Sequence, residues 1–140
     1  KEQDGAHRLL PIYIGTPEAS AIHYALDGVE PPRPLTHDLF LKTVSELGAT
    51  VDKIVITEMR NRTFHAELHL SGPAGDKIIS ARPSDAVALA VRCSAPIFAS
   101  DELMDSEAQD APPEPEADAA EIIDDFKDFL DNVSPEDFEA

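Results

Sequence analysis

Apolar positions along the chain change period twice. In the first third they recur at helical spacing: Ile22, Leu26 and Val29 fall at i, i+4 and i+7, as do Phe40, Val44 and Leu47. Thr16-Pro17 opens the first stripe, with Thr16 as expected N-cap and Gly28 as stop; Thr36 opens the second, a helix over 37–47 that Gly48 closes. From Lys53 the period becomes two. KIVITEM and TFHAELHL are rich in β-branched and aromatic residues, and Phe64, Ala66, Leu68 and Leu70 alternate with Thr63, His65, Glu67 and His69. With turn-like RNR at 60–62 and SGPAGD at 71–76, strands near 53–59, 63–70 and 77–81 are predicted to form an antiparallel meander. Ser84 is the expected cap of a third helix, apolar all round and so buried. IFAS after Pro96 and LLPIYIG at 9–15 each predict a further strand.

After Met104 the pattern breaks down. DSEAQDAPPEPEADAA at 105–120 is acidic and Pro-rich without aromatic or β-branched residues, the composition of a linker. Ile122, Phe126, Phe129, Leu130 and Val133 then return to helical spacing, predicting an amphipathic helix over 121–133 in an acidic tail that runs to residue 140. The expected fold is thus α+β, an antiparallel or mixed sheet covered by three helices within 1–104. The linker and the C-terminal helix follow.

Charge sharpens this division. The chain of 140 residues has a formal net charge of -17. Residues 1–100 hold 12 Asp and Glu against 10 Lys and Arg, while 101–140 hold 16 against Lys127 alone, so the tail carries nearly all of it. Only the tail repels phosphate. Cys93 is the sole cysteine, which rules out an intrachain disulfide or a cysteine zinc cluster and suits a reducing cytoplasm. The longest apolar run, Ala86 to Val91, is too short for a membrane span, and KEQDGAHR has no signal-peptide pattern.

The candidate chemistry lies at two similar corners. Arg33-Pro-Leu-Thr-His-Asp38 and Arg82-Pro-Ser-Asp85 each set Arg-Pro ahead of a hydroxyl and an aspartate at a helix start. Capping explains the proline, the hydroxyl and the first-turn acid. It does not require Arg twice, whereas a phosphate site favours the bidentate guanidinium fork. Glu18 also lies in a first turn. If three helix starts face one cleft, Glu18, Asp38 and Asp85 form a carboxylate group suited to Mg²⁺ or Mn²⁺. On strand 63–70, His65, Glu67 and His69 share one face, with alternate residues about 7 Å apart, so at most a neighbouring pair could share a metal; a solvated or partner-facing surface is the plainer account.

LPIYIGTPEASAI, GVEPPRPLTHDLF and ISARPSDAVALAVRCSAPIF resemble the three signature blocks of the bifunctional nuclease family, small bacterial and plant proteins named for DNase and RNase activity. The resemblance covers about residues 8–100 and implies a further strand ahead of Lys1. It implies a metal-assisted nuclease acting on DNA and RNA with little sequence preference. Carried onto matching positions, the characteristic residues are Glu18, Arg33, His37, Asp38, Arg82, Ser84 and Asp85. Glu18, Asp38 and Asp85 would then hold the metal or activate water, Arg33, Arg82 and Ser84 would bind the phosphate, and His37 would act as general acid or base. Against that stands a partly buried His37 that only bonds a neighbouring carboxylate. The alternative function is a non-catalytic regulatory or binding module whose helix 121–133 recruits a protein partner. A homo-oligomer, with a dimer favoured, is expected in either case, since a sheet in so small a domain leaves an edge to cover.

Overall fold

The computed structural model describes residues 1–111. The predicted helix 121–133, and the linker and tail from residue 112 on, lie outside the described residues. Eight elements follow in order: α1 (Thr16–Leu26), α2 (Thr36–Glu46), β1 (Thr50–Arg60), β2 (Thr63–Ser71), β3 (Lys77–Ala81), α3 (Pro83–Cys93), β4 (Ile97–Ala99) and α4 (Asp101–Glu107). The fold is α+β, as the apolar pattern predicts. The strands form one mixed sheet in the order β3-β2-β1-β4, with the meander antiparallel and β4 parallel to β1.

The period-2 pattern of β1 and β2 decides which face is buried. Ile54 pairs with Leu68 and Ile56 with Ala66, and all four lie on the covered face, where α3 presents Ala86, Leu89 and Ala90. The helix α3 packs against α1, α2, β1 and β2, so it is the hub of the domain. Its small side chains allow that close approach from several sides.

Several local expectations are corrected. None of Thr16, Thr36 and Ser84 caps its helix: the N-cap positions are Gly15, Leu35 and Arg82, with no side-chain cap bond. Pro17 and Pro83 in the first turns have no N–H, which removes one donor that a cap would satisfy. In α2 the Asp38 carboxylate instead reaches back to accept from the Leu35 N–H, at 2.9 Å. The predicted strand at 9–15 is reduced to a single bridge between Leu9 and Gln109. Pro11 cannot donate to a ladder, and the segment runs instead with Ile12 packed on the core and Tyr13 turned out.

The helix α4 was hidden by its own acidity. Ser100 Oγ accepts from the Leu103 N–H and donates to the Thr57 carbonyl at 2.7 Å, and Leu103 and Met104 are buried. The helix therefore runs on past Met104 to Glu107, into the stretch whose composition reads as linker. The stripes of α1 and α2 are buried less than their spacing implies, with Leu26 68% and Leu47 73% exposed. Leu41 and Val44 make the α2 contact to the core.

Candidate functional site

The two Arg-Pro corners meet on α3. Pro83 starts that helix and leaves Arg82 just ahead of it, where the guanidinium folds over the first turn: Nε donates to Asp85 Oδ2 at 2.7 Å and Nη2 to Oδ1 at 3.0 Å. This is the bidentate fork that the residue type favours. The third arm reaches α1, Nη1 donating to Glu18 Oε1 at 3.0 Å. Glu18 is in the first turn of α1 because Pro17 fixes that turn two residues into the helix. Arg82 thus joins the starts of α1 and α3.

The start of α2 completes the cluster. His37 Nε2 lies 3.2 Å from Asp85 Oδ1, so a proton on Nε2 faces the carboxylate and the neutral ring keeps its lone pair on Nδ1. The Arg82 hydrogen bonds hold the Asp85 carboxyl below the usual carboxylate range, and its burial only partly opposes this. The same bonds raise the Arg82 guanidinium. Asp85 therefore stays ionised while it orients His37.

Asp38, next in sequence, goes elsewhere. Its Oδ1 accepts from Arg92 Nε at 2.6 Å, and Arg92 Nη1 donates to the Ala88 carbonyl at 2.8 Å. Burial pushes the Asp38 carboxyl up, but the hydrogen bonds from Arg92 and the Leu35 N–H outweigh it and the net shift is downward. Asp85 and Arg92 are seven residues apart on α3, about 10 Å along the axis and on one face. The first turn of α2 reaches both points through adjacent side chains, His37 to Asp85 and Asp38 to Arg92.

Glu18, His37, Arg82 and Asp85 are therefore brought together, with Ser84 beside them in the same first turn. Asp38 is drawn to Arg92 instead. Arg33 is exposed in the link before α2, and no carboxylate pairs with it among the described residues. No three His, Cys, Asp or Glu side chains come together as a possible ion site among the described residues. As arranged, Glu18 and Asp85 grip a guanidinium rather than leave a chelate for Mg²⁺ or Mn²⁺, so the donor set does not fit a resident ion. On β2, His69 Nε2 bonds Glu67 Oε2 at 3.1 Å while His65 lies opposite Glu58, the neighbouring pair that strand geometry allows.

A groove of about 530 Å³ opens beside the cluster, lined by Glu18, Arg82 and Ser84 and, from other elements, by Tyr13, Arg62 and Phe64. Sequence reasoning missed Arg92 and Tyr13 as members of this region, and it reads Arg62 only as one of a small basic patch with Arg60 and Arg8 beside strand 63–70, not as part of this groove. The seven-residue spacing from Asp85 was the available sign for Arg92; nothing local marked Tyr13.

A small α+β domain with a guanidinium, carboxylate and imidazole cluster at its helix starts is the class so defined. Over residues 1–112 the chain matches the bifunctional nuclease domain, and it belongs to that family. It is 40% identical over 138 residues to an uncharacterized protein of Mycobacterium tuberculosis, a match covering 95% of this chain and 82% of that one. It is also similar to bifunctional nuclease 2 of Arabidopsis thaliana, 34% identical over 101 residues, and to bifunctional nuclease 1 of Oryza sativa subsp. japonica, 29% identical over 100. Each of those two matches covers 69% of this chain but only 30% of the plant protein.

Proposed function

We propose that this chain is a nuclease that hydrolyses phosphodiester bonds of DNA and RNA with little sequence preference, acting in the cytoplasm. The observation that carries the reading is Arg82, a raised and permanently charged guanidinium held between Glu18 and Asp85 at the mouth of a groove. An incoming phosphate competes for the fork that the carboxylates now occupy. Once Arg82 turns to the phosphate, it neutralises charge that develops on the non-bridging oxygens. His37, oriented through Nε2 by Asp85, offers Nδ1 to take a proton from the attacking hydroxyl or water. Arg33 supplies a second cation, and Asp38 holds the first turn of α2 in place through Arg92. No step is routed through a metal.

A second reading is favoured by the same ion pairs: Arg82 as a clamp between α1 and α3 in a non-catalytic regulatory module. The two separate on one experiment. The chain and its Arg82→Ala, His37→Ala and Asp85→Asn variants are incubated with labelled single- and double-stranded DNA and RNA, with Mg²⁺, with Mn²⁺ or with EDTA. The nuclease reading expects cleavage that falls at least 100-fold in Arg82→Ala and His37→Ala. Cleavage that persists in all three variants is contamination, and together with a loss of stability in Arg82→Ala it supports the clamp. Activity retained in EDTA assigns the chemistry to His37 and Arg82, whereas activity lost there returns Glu18 and Asp85 to the metal role implied by the family resemblance.

A further inference from the structure

We infer that the groove beside Arg82 takes a single-stranded segment of nucleic acid, with a base stacked on Tyr13 and a backbone phosphate on Arg62. This rests on the nuclease reading and adds the form of the substrate and two residues that select it.

Tyr13 is 97% exposed, the most exposed of the large apolar side chains among the described residues. Its backbone is nonetheless anchored, because Ile12 packs against the core and Gly15 and Thr16 lead straight into α1. A ring held out from a fixed main chain adds almost nothing to folding, since hydrophobic stabilisation follows the area removed from water. It does offer a flat face on which an unpaired base can stack. Phe64, which is packed against the core, and Arg62 line the same groove.

Arg62 is placed by a two-residue turn. Asn61 and Arg62 both have positive φ, 54° and 62°, the conformation of the tight hairpin between β1 and β2. Glycine is the favoured second residue of such a turn, so arginine there is costly to the fold. Among the described residues no carboxylate pairs with it, unlike Arg8, Arg60, Arg82 and Arg92. The groove therefore holds one guanidinium already saturated by acids and one with its charge uncompensated. Their separation along the groove, with an aromatic face beside them, is the pattern of a backbone track with a stacking platform. A duplex keeps its base faces stacked on each other and cannot use Tyr13, so the preference is for single strands.

Full-length protein would be titrated into a fluorescein-labelled oligothymidylate with a phosphorothioate backbone, which resists cleavage, and into a duplex of equal length and backbone, with anisotropy as the readout. Tighter binding of the single strand is expected. Tyr13→Ala should weaken it roughly tenfold or more while Tyr13→Phe binds as the parent does. Arg62→Ala should weaken both forms and lower the slope of log affinity against log salt by about one. Because Tyr13 is so exposed, its loss leaves the fold intact, and circular dichroism checks this. Single-strand affinity unchanged in Tyr13→Ala, as when the ring serves a protein partner, overturns the inference; so does a preference for duplex. If Arg82→Ala still abolishes cleavage in that case, the nuclease reading survives without this one.

Discussion

Arg92 shows how one side chain divides two neighbouring acids between different tasks. Its side chain is only 9% exposed and bonds Asp38 and the Ala88 carbonyl, so Asp38 braces α2 against α3 while Asp85 serves His37. Replacing Arg92 with Met keeps much of the packing but strands a partly buried carboxylate, which costs about 1–3 kcal/mol. The acid dependence follows from the same contacts. Asp38 and Asp85 are both held below their ordinary range, so their folded-state values lie under those of the unfolded chain. The unfolded state then takes up protons first as pH falls. Their stabilisation is complete above the unfolded value and is lost as pH falls through the folded ones, below about pH 4. Urea unfolding from pH 7 to pH 2.5 should show a plateau and then a decline. In Arg92→Met the plateau should be lower and the decline shallower, because Asp38 no longer contributes. An unchanged plateau would show that the Arg92 pair does not brace the helices.

At the scale of elements, one hydroxyl ties the start of α4 to the sheet. Ser100 directly follows β4, caps α4 and bonds the Thr57 carbonyl of β1, so it ties three elements at one point. Beyond it Leu103 enters the core and Gln109 bridges to Leu9. Ser100→Ala removes the cap and leaves the Thr57 carbonyl without that donor, an expected loss of about 1–2 kcal/mol in urea unfolding. Hydrogen exchange should rise first at the α4 amides, Leu103 among them. Equal protection of α4 in parent and variant would mean that the burial of Leu103 and Met104 and the Arg8–Asp105 ion pair hold the helix without the cap. The signal SDEL at 100–103 is legible only in part: Ser100 followed by Asp101 and Glu102 has the residues of a helix start, but the acidic, Pro-rich composition from Asp105 on gives a linker where the last turn of the helix lies.

For the whole molecule, assembly turns on the two edges of the sheet. The outer strands are β3 and β4, and each exposes large apolar side chains, Ile78 and Ile79 on one and Ile97 and Phe98 on the other. Ile78 is 62% exposed on a strand whose outer edge has no paired strand among the described residues, a combination that invites pairing with another strand. The homodimer expected from the sequence is accordingly proposed to form along β3, where an antiparallel strand of a second copy extends the sheet symmetrically. Light scattering at micromolar concentration should give a dimer mass for the chain and a monomer mass for Ile78→Lys. A monomeric parent would refute the proposal. Among the described residues no helix is long and apolar enough to cross a membrane.

The sequence by itself determined the elements whose periods are strong: the meander, the buried helix α3, and the two helices ahead of the sheet. Alternation and helical spacing act locally, and each element is legible because burying its apolar face is the dominant gain. It also marked Glu18, His37, Arg82 and Asp85, since residue types at helix starts carry their chemistry with them. Tertiary structure alone decided which of the acids meet. Glu18, Asp38 and Asp85 look alike in sequence, each an acid in a first turn. The packing of α1 and α2 on α3 gave two of them to Arg82 and the third to Arg92, because a guanidinium binds the carboxylates that the fold brings within about 3 Å and no local pattern encodes that distance.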